Sequence, residues 1–201
     1  MTKNKTSYQL VSGSLVNKCL VAMPDMSDER FESTVIYICS HDEEKGTKGL
    51  VLNKPCLLSF FDVLSQLHIS SLHISSQLDK GKYPKVLWGG PVEQIRGFIL
   101  HSNDFTGFET EKITDSLSIT ASVDVLSEIA KGKGPEKYLL ALGYSHWDCG
   151  QLELEIAGNS WLVFDANEDF LFNCPVNQKW EKALSMIGVN PLMLSLEQGS
   201  V

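Results

Sequence analysis

Long apolar runs are missing from this 201-residue chain. The longest, Cys19–Met23, Val35–Cys39 and Tyr138–Leu142, are far shorter than the roughly 20 residues a membrane-spanning helix needs, so no span is expected. Positive charge is also scarce, with 17 Lys and Arg against 25 Asp and Glu and a formal net charge of −8. A field of that sign repels phosphate backbones, which argues against indiscriminate nucleic-acid binding. No C-x-x-C pair occurs. The five cysteines, Cys19, Cys39, Cys56, Cys149 and Cys174, are odd in number and scattered, which suits reduced thiols in a cytoplasm better than a disulfide framework. The first 18 residues carry Lys3, Lys5 and Lys18 but no apolar block, so no secretory signal is expected. A dinucleotide fingerprint, a P-loop, a kinase motif set and an evident catalytic carboxylate pair are missing as well.

What is present is an ordinary globular composition, 43% hydrophobic and 21% charged. At this length folding buries roughly 70% of the unfolded surface, enough for one sizeable core. Residues 1–17 read as a loosely held arm and 18–201 as a single domain. Strands are expected at Cys19–Met23, stopped by Pro24, and at Thr34–Cys39 and Gly49–Leu52, which a polar turn joins into a hairpin. Ser59 is placed to cap a short helix containing Phe60, Phe61, Leu64 and Leu67. Ser70–Lys85 reads as the longest surface loop. Further strands follow at Val86–Trp88, Gly97–Leu100 and Ser118–Thr120. Ser122 then caps a helix that turns Val125, Leu126 and Ile129 inward. Tyr138–Leu142 reads as a strand buried on both faces. A helix over Cys149–Ala157, a strand over Trp161–Phe164 and a last helix capped by Asn177 complete the pass. Strands and helices interleave without βαβ spacing, so the class is mixed α+β.

Four constellations invite a chemical reading. Gly143-Tyr-Ser145-His-Trp147 sits where a nucleophile elbow would, but Trp147 takes the place of the second glycine, and adjacent Ser145 and His146 point to opposite faces of a strand. A strand end with a buried tryptophan is the preferred reading, and a hydrolase using Ser145 is the alternative. Cys39 with His41, and His146 with Cys149, suggest zinc, but neither spacing is a standard one, so no metal is assigned. The Lys131–Lys137 loop is basic and glycine-rich, yet it follows a helix C-terminus, where lysines offset the dipole. Lys133 in that loop remains a candidate ligand contact, and DNA contact through Lys80–Lys85 and Lys131–Lys137 is a third possibility. The most informative stretch is Gly89-Gly-Pro91 followed by Arg96-Gly-Phe-Ile-Leu-His101. Arg96 offers a planar fork for a carboxylate or phosphate, and His101 titrates near neutrality in its ordinary state. With Asn53 and Lys54 at the end of the preceding hairpin, these make a candidate small-anion site if they share a cleft.

The ordered blocks Leu20-Val-Ala-Met-Pro24, Val35–Cys39 with His41, Gly49–Pro55, Gly89–Val92, Arg96–His101, Gly132–Lys137, Ala141–Tyr144 with Trp147, Gly150–Glu153 and Trp180–Leu184 resemble the bacterial AlgH (YqgE) family over about residues 15–193. The resemblance implies a cytosolic bacterial protein with a bent, bifurcated, mainly antiparallel sheet that forms a pseudo-barrel flanked by helices. It brings no established reaction, cofactor or catalytic residue. Its regulator label comes from a link to alginate production, and nothing here resembles a helix-turn-helix. His146 and Cys149 depart from the family pattern. The expectation is therefore a non-enzymatic regulatory or adaptor protein acting through a protein or small-molecule partner.

Overall fold

The computed structural model describes residues 13–69, 84–165 and 167–189. Within them lie strands β1 (Lys18–Ala22), β2 (Val35–Asp42), β3 (Gly46–Val51), β4 (Val86–Trp88), β5 (Val92–Ser102), β6 (Thr110–Lys112), β7 (Leu117–Thr120), β8 (Tyr138–Trp147) and β9 (Trp161–Asp165). The helices are α1 (Phe60–Gln66), α2 (Val123–Ala130), α3 (Gln151–Ala157) and α4 (Lys179–Met186), with a π-helical turn at Asp169–Asn173. The strands form one sheet in the order β6-β7-β5-β8-β3-β2-β1-β9, and β4 joins it alongside β8. Every pairing is antiparallel except β4 with β8. The sheet curls into a half-barrel flanked by the helices, an α+β pseudo-barrel. No described helix is long and apolar enough to cross a membrane.

β8 is where the sheet divides. One edge pairs with β5, while the other is taken first by β4 at Leu140–Leu142 and then by β3 at Ser145–Trp147. Both neighbours fit on that edge because Gly89 follows β4 and hands the ladder on. Its N–H donates to the Leu142 carbonyl at 2.8 Å, and its own carbonyl accepts from Val51 N–H at 2.9 Å. The backbones crowd here: a Cβ on Gly90 would lie 2.2 Å from the Tyr144 carbonyl carbon, and one on Gly143 would lie 2.6 Å from the Gly90 oxygen. Gly143, at φ +73°, redirects the strand without ending it, and opposite it the bulge of the β5–β8 ladder lies on β5, between Val92 and Gly97.

That redirection sets which face each side chain meets. Before it, Leu140 and Leu142 face α1 and α2, packing with Phe60, Val63, Leu126 and Ile129. Ala141 faces the barrel interior, and beyond Gly143 Tyr144 does so too. The interior is filled by alternate strand residues, among them Cys19, Val21, Val35, Tyr37, Leu50 and Leu100, and is closed by Phe170, Leu171, Ala183 and Leu184. The opposite faces of β1 and β2 carry Leu20, Ala22, Ile36 and Ile38 against Leu152, Trp147 and Trp161. Glu155 of α3 locks that layer by accepting from both indoles, Trp161 at 2.7 Å and Trp147 at 2.9 Å. Lys179, 1% exposed, donates to the Phe170 and Leu171 carbonyls at 2.6 and 2.8 Å. Burial lowers its pKa, and the two acceptors compensate for the lost water.

Most expected elements are present, and the hairpin of β2 and β3 and the capping box of Ser59 with Asp62 are realised. Three expectations need correction. The strand at Tyr138–Leu142 runs on to Trp147, because Gly143 keeps the ladder going where a turn was expected. Gly97–Leu100 is the middle of an 11-residue strand. Asn177 does not cap α4: it lies in a 3-10 turn at Val176–Gln178, and Gln178 occupies the cap position without a side-chain bond. β6 had no expectation, being three residues without alternation. The Ser70–Lys85 loop lies outside the described residues apart from its last two positions, as do residues 1–12 of the expected arm. Leu15 is buried with the Ile36 layer, and Asn17 N–H donates to the Ile38 carbonyl at 3.0 Å.

Two glycine variants test the division of the sheet. Gly90→Ala must push the β8 backbone away and is expected to cost about 3 kcal/mol or more, lowering Tm by roughly 6 °C or more. Gly150→Ala has a positive φ of 75° but no atom within 4 Å of the new Cβ, so only about 1–2 kcal/mol is expected. Equal losses in thermal melts of the two variants would refute the close approach.

Candidate functional site

Curling brings the β2–β3 edge round towards β6 and β7, and the barrel mouth stays open as a cleft of about 370 Å³. Its floor is Leu50, Phe98, Ile113, Ile119 and Tyr144, continuous with the interior core. Its rim is charged. Arg96 Nη1 donates to Glu93 at 3.1 Å, and Nη2 donates to Glu109 at 3.3 Å. The guanidinium also lies 5.4 Å from the Phe98 ring centre, and these carboxylates raise its pKa further. Glu93 (φ 49°) and Glu109 (φ 56°) both adopt the left-handed conformation, which costs about 1–2 kcal/mol each. Strained non-glycine residues tend to cluster at functional sites. The Tyr144 hydroxyl donates to Glu93 at 3.4 Å, its pKa raised by burial and then by that carboxylate. Lys48 Nζ lies over the Tyr144 ring at 5.3 Å. Cys39 closes the back of the cleft, and burial pushes its thiol up to about 12, so it is no nucleophile there.

A second depression lies on the other side of β5. It is apolar, lined by Leu58, Val63, Leu67, Ile95, Val123 and Leu126 together with Gln94, Arg96 and Gly97. Ile95 is 99% exposed. Both surfaces share the stretch between Val92 and Gly97, where the β5–β8 register shifts. Glu93 and, after the shift, Phe98 meet the cleft, Ile95 and Gly97 meet the groove, and Arg96 reaches both.

With this geometry established, comparison with known proteins places the chain. The AlgH-like family model (DUF179) matches residues 19–192. The chain belongs to the AlgH-like family. It is 45% identical to a UPF0301 protein of Ruegeria pomeroyi over 92% of this chain and 98% of the relative. A UPF0301 protein of Rhodopseudomonas palustris is 46% identical over 92% of this chain and 86% of its own length. The solution structure of the AlgH protein from Pseudomonas aeruginosa superposes with a TM-score of 0.74 at 36% identity, covering 100% of this chain and 98% of that one. A Corynebacterium diphtheriae crystal structure at 22% identity (TM-score 0.65, covering 90% and 89%) shares the fold.

In this AlgH-like chain the sequence candidates do not converge. Arg96 alone lines the cleft, and the cleft already surrounds it with carboxylates. Asn53 is spent on structure, accepting from Val35 N–H and donating to the Ser33 carbonyl, each at 2.8 Å. The Lys54 carbonyl accepts from Trp88 N–H at 2.7 Å, and its side chain lines neither surface. Lys133 lies exposed beyond α2, where Lys131 pairs with Glu128 at 2.8 Å and Lys137 with Glu168 at 2.9 Å. Ser145 is 1% exposed, and its hydroxyl donates to the Gly89 carbonyl at 3.3 Å. Among the described residues no group of three or more His, Cys, Asp or Glu, the two Cys/His pairs included, is placed to hold a metal. Lys48, Glu93, Glu109, Glu111 and Tyr144 went unrecognised. They come from separate strands and turns with no sequence spacing to link them.

His101 is fully buried on β5. Its Nδ1 must donate to the Ser102 carbonyl at 2.8 Å, which leaves Nε2 to accept from the Thr120 hydroxyl, also at 2.8 Å. Thr110 lies 2.7 Å from Thr120, and Gly107 N–H donates to Thr110. A neutral imidazole fits this chain of bonds. Burial lowers its pKa, with the Ser102 bond and the Asp104 charge opposing. The unfolded chain therefore takes up a proton first, near pH 6.5, and stability present above that pH is lost as pH falls below it. Thermal melts from pH 7.5 to 5 are expected to show this slope, and His101→Gln to flatten it. An unchanged slope in the variant would remove His101 as its source.

Proposed function

We propose that the chain is a non-enzymatic regulatory adaptor of the cytosol that takes a small molecule in the barrel mouth and a protein segment in the apolar groove. One observation carries this reading: the β5 bulge residues Glu93–Arg96 line both surfaces, so whatever rearranges the Arg96 clamp moves Ile95 with it. An element shared by two binding surfaces is the route by which one ligand can alter the affinity for the other. The exposed apolar rim around Ile95 suits a protein contact. The acidic first turns of the helices beside it, with Asp62 and Asp124, favour an amphipathic segment with basic flanks. Five free cysteines fit a reducing compartment.

Two variants test the arrangement. The ion pairs of Arg96 are exposed and worth about 1 kcal/mol or less, so Arg96→Ala should shift Tm by no more than roughly 2–4 °C. The same variant should weaken any ligand that stabilises the wild type in a thermal-shift panel of amino acids, dipeptides, nucleotides and metabolite anions. A ligand at 100 times its Kd contributes about 2.7 kcal/mol, a rise of roughly 5–10 °C. Ile95→Asp should leave Tm and ligand response unchanged while abolishing capture of the protein partner. If the ligand response is identical in wild type and Arg96→Ala, or if the variant unfolds, Arg96 is not the link between the two surfaces.

A further inference from the structure

We propose that the barrel mouth selects a small zwitterion with an apolar body, an amino acid or dipeptide, with Lys48 holding the carboxylate and Glu111 the ammonium. This rests on the barrel mouth being a ligand site and adds the chemistry of what enters it. The charges that line the cleft are Lys48, Arg96 and Lys112 against Glu93, Glu109 and Glu111. Most of them are already paired. Arg96 spends both terminal nitrogens on Glu93 and Glu109, Glu93 also accepts from Tyr144, and Lys112 reaches Asp115 at 2.8 Å. Two charges remain. Among the described residues, Lys48 has only the face of Tyr144, a contact that leaves its three N–H donors free. Glu111 has no hydrogen bond or ion pair there.

These two free charges sit on facing walls. Lys48 is on β3 and Glu111 on β6, which lie far apart in the strand order and meet through the curl of the sheet. Cys39 of β2 lines the same cleft as Lys48 and Glu111, and after burial the Glu111 charge is what raises its thiol pKa. Between the walls lies the apolar floor of Leu50, Phe98, Ile113 and Ile119. A ligand of one sign is badly served. A multivalent anion meets three carboxylates and a guanidinium that two of them already neutralise, and a multivalent cation meets Lys48 and Arg96. A body that buries apolar surface on the floor and carries one charge of each sign satisfies both free groups at once. The volume of about 370 Å³ is at the small end of ligand sites and matches a dipeptide.

The test uses leucyl-phenylalanine, phenylalanyl-leucine and alanyl-leucine titrated into the full chain, each compared with its N-acetylated and C-amidated forms. Methyl resonances of Ile113 and Ile119 report whether binding is in the cleft. At least one free dipeptide is expected to bind there, with each capped form about tenfold weaker or more. Lys48→Met should weaken the free dipeptide about tenfold without weakening the C-amide further. Glu111→Gln should do the same with respect to the N-acetylated form. Each capped ligand serves as the control for its variant, so loss of fold cannot be mistaken for loss of a contact. Capped and free forms binding equally, or variants that weaken capped and free forms alike, would overturn the assignment. If pyrophosphate or citrate moves the Ile113 and Ile119 resonances and no dipeptide does, the zwitterion reading falls and the ligand site stands. If nothing in the panel moves them, both fall.

Discussion

Gly89 and Gly90 pass so close to Gly143 and Tyr144 that the division of the sheet hangs on their lack of side chains. A single strand, β8, must pair with β4 and then β3 along one edge while β5 holds the other. Two strands can share that edge only if the backbone passing between them carries no side chain. The observed approach, with a virtual Cβ at 2.2 Å from main-chain atoms, leaves no room for even a methyl group. The same crossing requires β8 to shift its alternation, and Gly143 allows this at a positive φ while β5 bulges opposite it between Val92 and Gly97.

From that shift follow three apolar layers in place of two. A flat sheet with strict alternation has one inside and one outside. Here the outer face splits, with Leu140 and Leu142 against α1 and α2 and Trp147 against α3, while Ala141 and Tyr144 share the interior. The curl that accommodates this brings β6 opposite β2 and β3 and leaves the mouth open. The cleft is therefore the unfilled end of the core, which explains its apolar floor and charged rim.

The rim itself is arranged at a cost. Glu93 and Glu109 hold left-handed backbone conformations, and both point a carboxylate at Arg96. Surface ion pairs of this exposure return little, so stability alone does not account for the strain. The two carboxylates nonetheless converge on Arg96 and hold it beside the Phe98 ring. Arg96 is thereby part of the cleft wall, and Lys48 and Glu111 are the lining charges without an ion pair among the described residues.

Much of the fold was legible in the sequence because its signals are local. β-branched runs marked β2, proline marked the end of β1, and Ser59 and Ser122 marked the starts of two helices, each through contacts within a few residues. The ordered glycine, proline and aromatic blocks identified the family for the same reason. Arg96 was also visible, as a guanidinium entering a strand beside a glycine turn. Its partners were not: Glu93 is a near neighbour in sequence, but Glu109, Glu111, Lys48 and Tyr144 reach the cleft only when the sheet closes. Asn53 and His101 show the converse. Their chemistry looked available in sequence, and tertiary contacts consumed it, Asn53 by tying Ser33 to Val35 and His101 by entering a buried chain of hydroxyls. Local residue patterns carried most strands, the Ser59 and Ser122 caps, the net acidity and the family, but not β6, the full lengths of β5 and β8 or the start of α4. Which polar groups are spent and which remain free was decided only by the tertiary structure, because hydrogen-bond satisfaction depends on groups brought together across the sheet and leaves no periodic trace along the chain.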